Sequence, residues 1–462
     1  MTPTVSVIIP SYNHANFIAE AIQSVLDQTY QDFEIVITDD GSKDNSIEII
    51  EQFQDDRIRL FKFNTNQGAC AASNNCIRQS RGKYVAMLSS DDAWLPGKLE
   101  KQVAFLDAHP LFGAVFSRIQ WVDEQSIPIS EPDFYYANVF DVDNRSRFQW
   151  LNHFFYRGNC LCHPSSLIRR EIYDEVGYLD PSLANLPDFD LWIRICLKYE
   201  IFILDEKLVR FRHFEKESNA SGNTVTNGIR VHYESGLLLD NYLKFNTLSE
   251  LERAFPSATE IDGVQEADIP FLLGKLAVET GQNFKVLWGL NQIHKAFQVP
   301  GYAERTKNVF NFGYLDFIKQ SGHHDIYRLA ELLAPSVTPP VELNSSTTGS
   351  IDQTGTRRRF SWLNILPRRW KNRIHFQRDY KLLKSSPYYN EQFYLENNPD
   401  VARSKIEPLA HFILYGGNEG RAPSSLFSSK HYLSKYPDVA TSGINPLVHF
   451  LRFGVSEGRT LD

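Results

Sequence analysis

Within the first 120 residues, short β-rich runs alternate with amphipathic helical stretches, and three of the runs end in polar residues. Segments 5–9, 33–38, 58–63, 84–88 and 114–119 read as strands, and between the first two Ile18, Ile22, Val25 and Leu26 share one helical face. Alternation at this spacing predicts an α/β, doubly wound, mostly parallel sheet with helices on both faces. Such sheets bind ligands in the crevice beyond the carboxyl ends of their strands. The residues at those ends are therefore the place to look for chemistry.

The pattern changes along the chain. An α/β domain is expected over 1–230 and a helical extension over 231–333, where strand periodicity fades and long apolar helical patterns appear. Residues 334–356 are rich in Pro, Ser, Thr and Gly and read as a flexible linker. Residues 357–384 carry ten Lys or Arg against the single acid Asp379, whereas the whole chain has a formal charge of -8, so a globally basic nucleic-acid binder is excluded. The segment 385–462 holds two repeats offset by 38 residues. Tyr394 and Leu395 return as Tyr432 and Leu433, Pro408, Leu409, His411 and Phe412 as Pro446, Leu447, His449 and Phe450, and Glu419, Gly420 and Arg421 as Glu457, Gly458 and Arg459. Each repeat reads as one supersecondary unit burying a face against its neighbour. His411 and His449, inside apolar runs, are expected to be core histidines.

The first strand runs into Pro10, Ser11, Tyr12 and Asn13, and the chain has neither GxGxxG nor a P-loop, which argues against dinucleotide dehydrogenases and P-loop NTPases. Asp39 and Asp40 end the second strand, before Gly41. As buried acceptors they suit a base or ribose, and an Asp-Gly turn with a helix cap explains them equally well. Ser89, Ser90, Asp91 and Asp92 follow the fourth strand. Adjacent carboxylates there offer hard oxygen ligands for Mg²⁺ or Mn²⁺, and capping of the next helix is an even alternative. Asp188 and Asp190 open an apolar helical run, as a cap or as a general base. Cys160, Cys162 and His163 fit no zinc spacing and are read as buried packing, with all five cysteines reduced.

Taken in order, PSYNHANFIAEAIQSVLDQTY, EIVITDDGSKDNS, NQGACAASNN, GKYVAMLSSDDAW and LPDFDLWIRI resemble the family 2 glycosyltransferases with the GT-A fold, over residues 4–220. The resemblance implies an inverting transfer of sugar from a nucleoside-diphosphate sugar to a hydroxyl acceptor, in polysaccharide or glycoconjugate biosynthesis. It implies a nucleotide pocket lined by Pro10, Ser11, Tyr12, Asn13, Asp39, Asp40, Asn66 and Gly68. It also implies a ribose and Mg²⁺ or Mn²⁺ contact at Asp91 and Asp92, and Asp188 as base with Asp190 in support. Two departures stand out. Ser89 occupies a position where members often have Asp, and Ser73 one where they often have Arg, so a phosphate contact is expected to move to Arg78 or Lys83. His213 matches a late histidine that some members use near the metal, and a plain surface histidine fits as well. The terminal repeats resemble short modules appended to some bacterial glycosyltransferases.

No apolar run of about 18 residues occurs, and the N-terminus lacks signal-peptide features, so a cytoplasmic protein is expected. Phe360, Trp362, Leu363, Ile365, Leu366 and Trp370 interleave with the charges of 357–384. That pattern suits either an anionic inner membrane face, with a lipid-linked or glycan acceptor, or a solvated helix. Residues 385–462 are a candidate surface for protein or glycan contact. The alternative to an enzyme is a sugar-nucleotide-binding scaffold weakened by Ser89.

Overall fold

The computed structural model describes residues 2–130, 132, 134, 136–214, 222, 224–326, 380, 382–402, 407–437, 439, 445–454 and 459–461. The linker expected over 334–356 and nearly all of the basic segment 357–384 lie outside them. The chain divides at residue 338 into two compact units.

The first unit begins with β1 (Val5–Ser11), α1 (Ile18–Leu26), β2 (Phe33–Asp39), α2 (Ser46–Glu51), β3 (Ile58–Lys62), α3 (Ala69–Gln79), β4 (Tyr84–Met87), β5 (Ala93–Trp94), α4 (Lys98–Ala108) and β6 (Phe112–Val122). It continues through α5 (Arg147–Arg157), β7 (Leu167–Arg169), α6 (Arg170–Val176), α7 (Pro187–Cys196) and β8 (Glu200–Arg212). The eight strands form one sheet in the order β3-β2-β1-β4-β7-β6-β8-β5. Pairs β1–β2, β2–β3, β1–β4 and β6–β8 are parallel, whereas β7 runs antiparallel between β4 and β6, and β5 pairs antiparallel with β8. This is the expected mostly parallel α/β sheet of the GT-A type. The strand order reverses beside β1, where β2 and β4 flank it, and in open α/β sheets such a reversal, at the carboxyl ends of the strands, is where ligands bind.

Strand alternation explains the two-sided burial. Val7 and Ile9 of β1, with Ile35 and Ile37 of β2, pack against Ile22 and Leu99 on one face; Ile8, Val36 and Val85 face Trp150 and Trp192 on the other. The second face continues without a break into the helical extension, through Tyr242, Phe271, Trp288 and Phe297. That extension comprises α8 (Val225–Leu238), α9 (Leu248–Ala254), α10 (Ile269–Glu279), α11 (Asn283–Phe297), α12 (Tyr302–Phe310) and α13 (Tyr314–His323). Helices α10 and α11 touch backbone to backbone: a Cβ on Gly289 would lie 2.4 Å from the Gly274 carbonyl oxygen. Only glycine admits that approach. Among the described residues no helix is long and apolar enough to cross a membrane.

The second unit has its own core around Tyr394, Leu409, Phe412, Tyr432, Leu447 and Phe450. The two repeats bury equivalent pairs: Tyr394 Oη lies 2.9 Å from His411 Nδ1, and Tyr432 Oη 3.2 Å from His449 Nδ1. The histidines are thus satisfied inside the unit. Arg421 pairs with Asp400 at 2.8 Å and with Glu419 at 2.6 Å. Asn445 of the second repeat donates to the carbonyls of Phe412 and Ile413 in the first, which joins the two modules.

Candidate active site

The parallel register sets Ser11 beside Asp39, so β1 and β2 end level with each other. Asp39 is fully buried. Both its oxygens accept from Ser42, Oδ1 from the backbone N–H at 2.8 Å and Oδ2 from the hydroxyl at 2.6 Å. Ser42 Oγ in turn accepts the Asn13 N–H at 2.9 Å, while Asn13 Oδ1 accepts the Lys43 N–H at 2.8 Å. Asn13 has φ 53°, an uncommon left-handed conformation for a non-glycine residue that this reciprocal pair holds in place. Asp40 faces elsewhere: its two oxygens accept the N–H groups of Gln67 and Gly68, at 2.6 and 2.8 Å. It ties the end of β2 to the loop that opens α3, and exposed Asn66 lies in that loop. Gly41, at φ +76°, crosses this loop so closely that a Cβ would lie 2.8 Å from the Thr65 carbonyl carbon. Tyr12 is 40% exposed, Pro10 half-buried, and the Ser11 hydroxyl is buried without a hydrogen-bond partner among the described residues.

The turn after β4 joins this group through His14, whose Nδ1 lies 2.7 Å from Ser90 Oγ. The following two carboxylates have different environments. Asp92 is buried, accepts the Arg212 N–H at 2.8 Å and is bonded by the Ser89 hydroxyl; burial, then repulsion from Asp91, push its carboxyl well above the ordinary range. Asp91 is half-buried, and its carboxylate takes no hydrogen bond from the described residues. Arg212 organises the pair. Its Nε donates to the Asp91 carbonyl at 2.7 Å, Nη1 to the carbonyls of Asp123 and Glu124 and to Ser126 Oγ, and Nη2 to Glu20 at 2.8 Å. Its guanidinium lies 4.8 Å from the Phe17 ring centre. His213 is stacked on Phe134 at 4.1 Å, with Nδ1 2.7 Å from Tyr136 Oη.

Asp188 stands in the first turn of α7, and its Oδ2 accepts from Asn159 Nδ2 at 2.9 Å. Oδ1 makes no hydrogen bond with the described residues. The loop before α7 is held by Glu234 of α8, which accepts the N–H groups of Ala184, Asn185 and Leu186 at 2.8 to 2.9 Å. Asp190, two residues on, is buried in an ion pair with Arg194 at 2.7 Å and accepts from Asn241 at 2.7 Å. It therefore anchors α7 and does not open into the crevice. Two buried thiols feel the charge of Asp188. Burial, then the charges of Asp92 and, further down, Asp188, push the Cys162 thiol up. Burial, then Asp188, push Cys70, in the first turn of α3, to about 12. Hydrogen bonds thus join Asp39 to Asn13 through Ser42, His14 to Ser90 in the turn before Asp91 and Asp92, and Asp40 to Gly68 at the start of α3, and the charges of Asp92 and Asp188 both act on Cys162.

Two expected contacts are corrected. Lys83 sits at the amino end of β4 and pairs with Asp107, and Arg78 lies in the last turn of α3, which runs back to that same end. Neither replaces a phosphate contact at the carboxyl ends. Ser73, at the departing position, is buried in α3. Arg212, Asn159 and Glu234 carry no signal in the sequence beyond ordinary polar residues; only the neighbourhood of His213 pointed near Arg212.

A family model described as glycosyl transferase family 2 matches residues 6–177. An uncharacterised glycosyltransferase of Methanocaldococcus jannaschii is 31% identical over 217 residues, which cover 46% of this chain and 71% of that one. The chain belongs to glycosyltransferase family 2. A second relative, the Bacillus subtilis protein with the provisional name of a teichuronic acid biosynthesis glycosyltransferase, is 43% identical over 106 residues, 22% of this chain and 42% of that one. Among solved structures, Staphylococcus aureus TarS 1–349 in complex with UDP superposes with a TM-score of 0.44 at 16% identity, covering 63% of this glycosyltransferase and 87% of that chain.

Among the described residues no three His, Cys, Asp or Glu side chains converge as a metal cage. The donor set at Asp91 and Asp92 fits a different arrangement. One free carboxylate beside a second whose charge is disfavoured by burial suits a hard divalent cation that keeps waters and takes phosphate oxygens as further ligands.

Proposed function

We propose that this family 2 enzyme is an inverting hexosyltransferase acting on a nucleoside-diphosphate sugar and a hydroxyl acceptor in polysaccharide or glycoconjugate assembly. The observation that carries the reading is the Asp188 carboxylate in the first turn of α7, oriented through one oxygen by Asn159 and, among the described residues, free at the other, just after a loop pinned by Glu234. A base must lie within hydrogen-bond reach of the proton it takes, and orientation by a third group is what keeps it there. Asp188 accepts the acceptor hydroxyl's proton as that oxygen bonds to the anomeric carbon. The bond from that carbon to the diphosphate breaks on the opposite face, so configuration inverts. The nucleotide lies along Ser11, Tyr12, Asn13, Asp39 and Asn66, with Asp40 and Gly68 shaping the loop it meets. Asp91 and Asp92 hold Mg²⁺ or Mn²⁺, which when bound neutralises charge developing on the leaving diphosphate. Asp91 supplies the accessible carboxylate, and Asp92 with Arg212 fixes the turn that carries it. Asp190 is a positioning residue for α7. The enzyme works in the cytoplasm, with 357–384 meeting the inner membrane face and 385–462 a protein or glycan partner.

The test uses water as acceptor. Proton NMR of freshly hydrolysed UDP-α-glucose or GDP-α-mannose, with Mn²⁺, is expected to show the β-anomer first. Appearance of the α-anomer first contradicts a single displacement, and failure to bind or turn over any nucleotide sugar contradicts the enzyme reading.

A further inference from the structure

Between α5 and β7 a single turn of 3-10 helix, His163–Ser165, is held unusually firmly around a side chain that has no bond of its own. Trp94, two residues beyond Asp92, donates from Nε1 to the Pro164 carbonyl at 3.0 Å, and Gln102 of α4 donates from Nε2 to the Ser165 carbonyl at 2.8 Å. The Ser165 and Ser166 hydroxyls donate to the carbonyls of Cys162 and His163, at 2.7 and 2.8 Å. Lys98, fully buried, donates to Gln102 Oε1 at 2.8 Å and so fixes the amide that reaches the turn. The His163 imidazole, by contrast, makes no hydrogen bond with the described residues. It is half-buried and stands edge-on to Trp192, with ring centres 5.4 Å apart at 81°.

Trp192 follows Asp188 by one turn on the same face of α7, so the ring that backs His163 shares that face with the candidate base. The charge of Asp188 acts on both His163 and Cys162, and that of Asp92 acts on Cys162. The turn therefore lies within electrostatic reach of the acidic turn and of the base at once. In a single displacement the anomeric carbon sits between the attacking hydroxyl and the leaving diphosphate, so the transferred sugar occupies that same interval. Burial pushes the imidazole below its ordinary value, against the pull of Asp188, and leaves it neutral at pH 7. A neutral imidazole has one N–H donor and one acceptor nitrogen. A diphosphate oxygen only accepts, whereas a sugar hydroxyl both donates and accepts and so matches either nitrogen.

We propose that His163 hydrogen-bonds a ring hydroxyl of the transferred sugar and is a specificity-determining residue for the donor. This rests on the glycosyltransferase reading, since it takes the sugar to lie between Asp188 and the acidic turn. Trp94, Lys98 and Gln102 are positioning residues that hold the turn presenting the ring. A site built to bond one hydroxyl discriminates against sugars that lack it or point it elsewhere, because the imidazole is then left unpaired.

Hydrolysis with Mn²⁺ isolates the donor, because water replaces the acceptor. Steady-state kinetics are measured on the full chain for whichever of UDP-glucose and GDP-mannose the wild type hydrolyses faster, and for the monodeoxy analogues of that sugar. The variants are His163→Phe, which keeps an aromatic edge on Trp192 without either nitrogen, and His163→Gln, which keeps a donor and an acceptor. His163→Phe is expected to lower kcat/KM about 10- to 100-fold and His163→Gln less, with affinity for the free nucleotide within a factor of about two in both. In the wild type, removing one particular hydroxyl is expected to cost a similar factor, and in His163→Phe that removal costs nothing further. The intrinsic effect of deoxygenation on bond breaking is common to both proteins and cancels in the comparison. Unchanged kcat/KM in His163→Phe overturns the proposal, as does a deoxy penalty equal in wild type and His163→Phe at every position. A fall in nucleotide affinity in proportion to kcat/KM also overturns it, because the ring is then only packing. Failure of the wild-type chain to bind UDP or GDP, or to hydrolyse either donor, is a separate result that strikes the glycosyltransferase reading itself.

Discussion

Replacing Arg212 with alanine tests how the acidic turn is held. The side chain is 1% exposed and bonds five acceptors on three separate stretches of chain: Glu20, the Asp91 carbonyl, and the Asp123, Glu124 and Ser126 group. Glu20 is 34% exposed at its side chain and keeps Arg210 at 3.7 Å, so its share is small. The carbonyls of Asp91, Asp123 and Glu124 lose a charged donor, at about 1–3 kcal/mol for each that stays dry. Because water enters part of the vacated space, the total falls at about 3–5 kcal/mol, toward the low end of the sum for three dry carbonyls. Urea denaturation of the ligand-free chain measures it through the midpoint at constant slope. Arg212→Lys keeps the charge but not the planar fork and is expected to recover less than half of the loss. The same variants are expected to weaken UDP binding only when Mn²⁺ is present, because the nucleotide pocket at Asp39 does not depend on Arg212. A loss below about 1 kcal/mol, or an equal loss of UDP affinity with and without Mn²⁺, refutes this role.

Glu34 lies at the amino end of β2, away from the site, and accepts from Ser6, from Arg81 and from Arg59. Although burial pushes its carboxyl up, the bonds from Arg81, Ser6 and Arg59 hold it below the ordinary value of 4.5. Its stabilisation is therefore complete above that value and is lost as pH falls through the lower folded one; Glu34→Gln is expected to cost about 1–3 kcal/mol at pH 7 and to flatten the acid limb of a melting-temperature profile, with activity unchanged. A cost that persists undiminished at pH 3 contradicts the assignment. Gly289→Ala is expected to force α10 and α11 apart and cost about 1–3 kcal/mol, measured by thermal melting, whereas the same change at Gly281, where nothing lies within 4 Å of a Cβ, costs only its left-handed φ of 63°.

The parallel core of the sheet was legible because its strands are short apolar runs with a helical face between them. Segments 5–9, 33–38 and 84–88 lie in or within a residue of β1, β2 and β4. Strands β7 and β8 were not read. β7 has three residues, and β8 exposes Asp205, Glu206 and Lys207 in its middle, which breaks both alternation and apolar continuity. The helices of the extension were visible through their apolar stripes, but the continuity of its core with the sheet was not, since Trp288 meets that core only in three dimensions. At the site, residue types at strand ends marked the acids as candidates. Spacing alone did not divide their labour, and only the resemblance offered Asp188 as base with Asp190 in support: the partners that set the acids apart, Arg212 at the turn of Asp91 and Asp92, Asn159 at Asp188 and Arg194 at Asp190, meet them in three dimensions. Lys83 was misread as a phosphate contact because one-dimensional proximity to the acidic turn hides that β4 carries the two to opposite ends.

The most direct test of the whole account compares Asp188→Asn with wild type in two measurements on the same preparation, turnover of a nucleotide sugar with Mn²⁺ and affinity for the free nucleotide. A carboxylate acting as base predicts a fall in kcat of about 10²–10⁴ with nucleotide affinity within a factor of about two. Asparagine retaining near wild-type kcat, or losing nucleotide affinity in proportion to turnover, contradicts it.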